Sequence, residues 1–130
     1  MRMKHTVIAV AMAAAMGSAV ARTAEIYEPP QIVLASAADA SAEQVRHRIA
    51  SAAQGLGWHV VQDVPGRMEL QFDKQGKHQV TIAVHYDVAA YKIAYLSSVN
   101  LNFTDADGVR RIHPNYNRWV RNLIKQIGAA

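Results

Sequence analysis

The 130-residue sequence contains no cysteine, which excludes disulfide staples, thiol nucleophiles and thiolate zinc sites and leaves an apolar core to hold the fold. Proline is scarce, and Pro29-Pro30, Pro65 and Pro114 each mark a place where regular structure starts or stops. An excess of one charge is also missing. The formal net charge is +4, but Arg2 and Lys4 stand in an N-terminal leader; without them twelve basic residues face ten acidic ones, a net of +2. Non-specific nucleic-acid binding needs a basic stripe able to neutralise several phosphates, so no nucleic-acid partner is expected. The apolar run that opens at Thr6 ends near Met16, too short for the roughly 20 residues of a spanning helix.

That run has another reading. Met1–His5 is a basic head, Thr6–Met16 an uncharged apolar stretch, and Ala19-Val20-Ala21 offers small residues where a signal peptidase reads. Residues 1–21 therefore read as a secretory signal peptide, cleaved after Ala21 to leave Arg22 at the front. A lipid anchor would need a cysteine at the cleavage point, so the mature chain is expected to be periplasmic and without a membrane anchor.

Between Trp58 and Phe103 apolar residues alternate, as in strands with one buried face. Met68, Leu70 and Phe72 share a face, as do Val80, Ile82, Val84 and Tyr86, and then Tyr91, Ile93 and Tyr95. Pro65-Gly66 and Lys74-Gln75-Gly76 interrupt them as short turns, which makes an antiparallel meander. Trp58–Val64, Arg67–Asp73, Lys77–Asp87 and Tyr91 to about Val99 or Phe103 are its four strands. Residues 22–40 read as an extended, flexible lead-in; within it Gln31–Ala35 either adds an edge strand or lies on the first helix.

Ser41 and Gln44 form the Ser-x-x-Gln capping box of a helix whose apolar face is Ala42, Val45, Ile49, Ala52, Ala53 and Leu56, closed by Gly55 and Gly57. Pro114 opens a second helix with Tyr116, Trp119, Val120, Leu123 and Ile127 at helical spacing. Trp119 reads as core, worth about 3–5 kcal/mol on truncation to alanine. Residues 41–130 are thus a single α+β domain, with two helices on one face of a four- or five-stranded antiparallel sheet.

Catalytic, metal and cofactor signals are weak. His59 and His85 share an outward strand face while His78 and His113 lie elsewhere, short of the three or four converging ligands of a zinc site. Ser97, Ser98, Asp105 and His113 lack the Gly-x-Ser-x-Gly context of a hydrolase. Asp105-Ala106-Asp107-Gly108 lacks the closing glutamate of a calcium loop, since Tyr116 stands at position twelve, and reads as a polar surface turn. No cofactor is expected. Two kinds of binding surface remain. The outward sheet face carries Val61, Ala83, Ala94 and Leu96, and the last helix carries Arg118, Arg121 and Lys125 on one solvent face. Tyr86, Tyr91, Tyr95, Tyr116 and Trp119 could line a ligand pocket beneath that helix.

The stretch Ile112-His113-Pro114-Asn115-Tyr116-Asn117-Arg118-Trp119-Val120-Arg121-Asn122-Leu123, with Tyr91-Lys92-Ile93-Ala94-Tyr95 and Ser97-Ser98 before it, resembles a group of small exported proteins of Gram-negative bacteria. The resemblance covers residues 44–127 and implies a periplasmic α+β protein, with no activity to carry over. Many members look like lipoproteins, whereas this chain lacks their cysteine. The expected function is a non-enzymatic binding or interaction module for an unidentified protein or envelope component, of open oligomeric state; a small-ligand carrier is the alternative and a hydrolase a more distant one.

Overall fold

The computed structural model describes residues 22–35 and 41–129; the leader and its cleavage point lie outside the described residues. In chain order the elements are β1 (Ala24–Glu25), β2 (Ile32–Val33), α1 (Ala42–Gly55), β3 (Trp58–Val64), β4 (Arg67–Lys74), β5 (His78–Tyr86), β6 (Ala90–Val99), β7 (Thr104–Ala106), β8 (Val109–Ile112) and α2 (Pro114–Ala129). The fold is α+β. A five-stranded antiparallel sheet has the order β2-β6-β5-β4-β3, so the meander is present and the Ile32–Val33 segment does join it, opposite Tyr91 and Ala90. Pro65 followed by Gly66 at φ 81 has the residue pattern of a type II turn and closes the β3–β4 hairpin.

Both helices lie on one face of this sheet. Met68, Leu70, Val80, Ile82, Val84 and Ile93 are buried there under Val45, Ile49, Ala52 and Ala53 of α1 and Val120, Leu123 and Ile127 of α2. The Ser41 capping box is formed, its hydroxyl accepting from the Gln44 N–H and the Gln44 side chain accepting from the Ser41 N–H. Ala42, expected on the buried face, is exposed in the first turn. Among the described residues no helix is long and apolar enough to cross a membrane.

Two bulges break the strict alternation. Val61 and Leu96 have no partner in register, since Val60 pairs with Leu70 and Gln62 with Glu69, while Tyr95 pairs with Ile82 and Ser97 with Thr81. Beyond each bulge the side chains change face. Asp63 thereby falls opposite Met68, on the helix side, where Arg46 of α1 meets it at 3.0 Å. Ser98 falls opposite Val80 and bonds the Tyr95 hydroxyl at 2.7 Å.

The lead-in is extended but not loose. Its β1 pairs with β8, and β8 with β7, in a second, three-stranded sheet. The stretch read as a surface turn is therefore a hairpin, with Asp107 and Gly108 both at positive φ as a two-residue type I′ turn requires. Asn117 of α2 ties the lead-in down. It is 8 % exposed, its Oδ1 accepts from the Tyr27 N–H at 2.8 Å, and its Nδ2 donates to the Glu25 carbonyl at 3.0 Å. Arg121 lies over the Tyr27 ring, 4.3 Å from its centroid.

Replacing Asn117 by leucine leaves that N–H and that carbonyl without partners, a cost of about 1–3 kcal/mol for a buried polar group. The expected outcome is a lower urea midpoint together with faster amide exchange at Tyr27, and unchanged exchange at Tyr27 would contradict the role given to Asn117.

Candidate functional site

At one end of the sheet, α2 crosses the layer beneath it through two aromatic contacts. Tyr116 meets Tyr95 edge-on, with ring centroids 5.8 Å apart, and Trp119 meets Phe72 at 4.8 Å. Phe72 in turn meets its register partner Trp58 at 5.3 Å. Trp58, 2 % exposed, is the core tryptophan. Trp119 is only partly buried, which corrects its reading as core. Its outer part faces a cleft of about 320 Å³.

Four segments build that cleft. Leu56 comes from the end of α1, Trp58 from the start of β3, Phe72 and Lys74 from the end of β4, and Asn115, Arg118, Trp119 and Asn122 from one flank of α2. The chain enters β3 through Gly57 at φ 97, where an added Cβ would lie 3.3 Å from the Phe72 ring. Only glycine suits both the conformation and the approach. Arg118 donates to Asn115 Oδ1, which aims its guanidinium along the cleft flank. Lys74 alternates in step with Phe72 and so shares the helix side, whereas Asp73 points to the other face and accepts from the Gly76 N–H at 2.8 Å. A second groove of about 220 Å³ shares Asn115 and Arg118 and adds Arg22, His113 and Pro114. Among the described residues no acidic side chain lines either groove.

His113 caps the helix that presents these residues. Its Nδ1 accepts from the Asn115 N–H at 3.1 Å, which requires the neutral tautomer with the proton on Nε2. Partial burial first, and then the neighbouring His78, Arg22 and Arg118, hold its pKa below the ordinary histidine value.

The residues singled out from sequence are dispersed. Tyr86 and Tyr91 pair at the far end of the sheet beside a shallow depression of about 290 Å³. Tyr95 stacks on Phe103 at 4.5 Å, with Arg110 over both rings. Burial pushes the Tyr91 phenol up to about 12 and the Tyr116 phenol further, as core positions require. The five aromatic candidates thus occupy three places, and Trp119 alone of them lines the cleft. Leu56, Trp58, Phe72, Lys74, Asn115, Arg118 and Asn122, none of which was singled out for a pocket, complete it.

On the open sheet face Val61 is 50 % and Leu96 41 % exposed, but Ala83 is fully covered. Three strand spacings separate Val61 from Leu96, about 14 Å at the usual ~4.8 Å, and the intervening strands carry the Arg67–Glu69 ion pair at 2.6 Å and the Gln71–Thr81 hydrogen bond at 3.3 Å. Of the basic helix face, Arg118 belongs to the cleft, Arg121 to the lead-in and Lys125 to solvent. His59 lies in the row of Thr81 and His85 in the row of Arg67 and Lys92, four residues apart along the strands, or about 13 Å. No hydrogen bond among the described residues joins Ser97 or Ser98 to His113, and no three histidine or acidic side chains converge there.

No protein-family model, curated protein or solved structure matches the chain.

The depressed His113 pKa fixes the direction of a pH effect. Above the ordinary value of about 6.5 folded and unfolded chains are both neutral at this residue and the cap is intact. As pH falls below it, the unfolded chain takes a proton that the folded one refuses, so this contribution to stability is lost down to the folded pKa. The urea midpoint is expected to fall between pH 7 and pH 5, and the His113→Asn protein, which keeps a capping side chain, is expected to show a shallower fall; equal slopes would contradict this.

Proposed function

We propose that the protein is a non-enzymatic binding module of the bacterial periplasm whose site is the cleft between the end of α1, the β3–β4 edge and α2. One observation carries this reading. Trp119, a large aromatic side chain, is left partly open over Phe72 on the floor of a concave site edged by Lys74, Arg118 and two asparagine amides. Sites for small molecules combine an apolar or aromatic floor with a few polar groups that fix orientation. The open sheet face offers scattered valines between hydrogen-bonded polar pairs and supports a docking role less well. Export rests on the leader, and the resemblance to small exported proteins supports it.

The test is a proton–nitrogen correlation spectrum of protein recovered from the periplasm, whose mass is expected to begin at Arg22, titrated with small uncharged and anionic ring compounds. Shifts are expected at the Trp119 indole N–H and at the Leu56 and Asn122 amides. Shifts confined to Val61, Val64, Leu96 and Val99 would move the site to the open sheet face, and recovery of only uncleaved chain in the cytoplasm would overturn export.

A further inference from the structure

We infer that the cleft takes a ring carrying a phosphate monoester, with the ring on Trp119 and the phosphate between Lys74 and Arg118. This rests on the reading of the cleft as the binding site and adds the chemistry of its occupant. Among the described residues three arginines meet acids, while Arg111 meets Thr23 and Arg121 the Tyr27 ring. Arg46 is held by Glu43 and Asp63, Arg67 by Glu69, and Arg110 by Glu28 at 2.5 Å. The cleft brings two cations to one concave site. Strand alternation sends Asp73 to the opposite face from Lys74, and Arg118 is positioned by a neutral amide, so among the described residues neither cation has a carboxylate partner.

The adjoining groove continues past Asn115 and Arg118 to a third cation, Arg22, again with no acid among the described residues on its walls. A single carboxylate would leave two of these three charges uncompensated. A phosphate monoester carries a charge of about −1.5 to −2 near neutral pH and three acceptor oxygens, and a guanidinium meets such a group with two parallel N–H donors. The other half of the site is apolar and flat. Trp119 offers its partly exposed ring to a planar base or to the apolar face of a sugar, and Asn122 offers an amide able both to donate to and to accept from a ring hydroxyl.

Calorimetric titration of the native protein tests this with a hexose 1-phosphate and a nucleoside 5′-monophosphate, each beside its unphosphorylated counterpart, and with inorganic phosphate. At least one ring phosphate is expected to bind tenfold or more tightly than both its unphosphorylated form and inorganic phosphate. The preferred arm tells a sugar phosphate from a nucleotide. Affinity is expected to fall with added salt, and to be at least tenfold weaker and less salt-dependent in the Lys74→Gln/Arg118→Gln protein, whose exposed substitutions should leave the urea midpoint unchanged. Equal binding of the unphosphorylated ring, undiminished in the double variant, would overturn the anion assignment and leave the cleft as a neutral-ring site. Inorganic phosphate binding as tightly as any ring phosphate would remove the ring from the proposal. Failure of every ring compound to bind would overturn both the inference and the reading beneath it.

Discussion

Burial of one face of the five-stranded sheet is the constraint on which the rest of the structure depends. A single antiparallel sheet whose one face is lined by Met68, Leu70, Val80, Ile82, Val84 and Ile93 cannot stand in water without a cover. Without cysteine there is no covalent substitute for that cover. The alanines of α1 let it approach β3 and β5 closely, and α2 fills the remaining width beside it. The small sheet then closes the end near β6, where Phe103 and Arg110 lie against Tyr95. Asn117 matters because this last piece has little apolar surface of its own. One buried amide, donating to the Glu25 carbonyl and accepting from the Tyr27 N–H, pins the end of a strand only two residues long and the chain just beyond it.

The cleft follows from how that cover ends. The chain leaves α1 through Leu56 and Gly57 and turns at once into β3, so the helix stops short of the sheet's rim. Trp58 and Phe72 fill the layer there, and α2 arrives from the other side with Trp119 on top of them. The three rings form one packed run from interior to surface. Trp58 is core, Phe72 and Trp119 are partly buried, and Trp119 is left partly open because no further element continues the layer. The same helix has two working flanks. Asn117 and Arg121 grip the lead-in, while Asn115, Arg118 and Asn122 edge the cleft. Loosening of α2 would therefore be felt at both.

Much of this was legible in the sequence because it is local. The Ser41–Gln44 capping box, the Pro65-Gly66 turn and the alternation through β4 and β5 each lie within a few residues and involve rules the neighbours cannot override. The bulges were harder to see. Val61 and Leu96 are apolar residues inside apolar strands, and a one-residue slip shows only when the partner strand is known. The small sheet escaped because strands of two, three and four residues are too short to show a periodic pattern, although Asp107-Gly108 is a hairpin signal in its own right. Helical spacing placed Trp119 on the apolar face of α2 but could not say where the sheet beneath it ends. The cleft itself was out of reach, since Leu56, Phe72, Lys74 and Arg118 come together only through the tertiary fold.

The cleft sets an aromatic floor under a cationic rim, and quenching of tryptophan fluorescence by iodide and by caesium measures that combination. Comparing the native protein with Trp119→Phe isolates the Trp119 contribution and leaves Trp58 as an internal reference. Iodide is expected to quench Trp119 well beyond caesium, while Trp58, 2 % exposed, is little affected by either ion. Equal protection of the two tryptophans, or quenching of Trp119 by caesium at least as strong as by iodide, would contradict it.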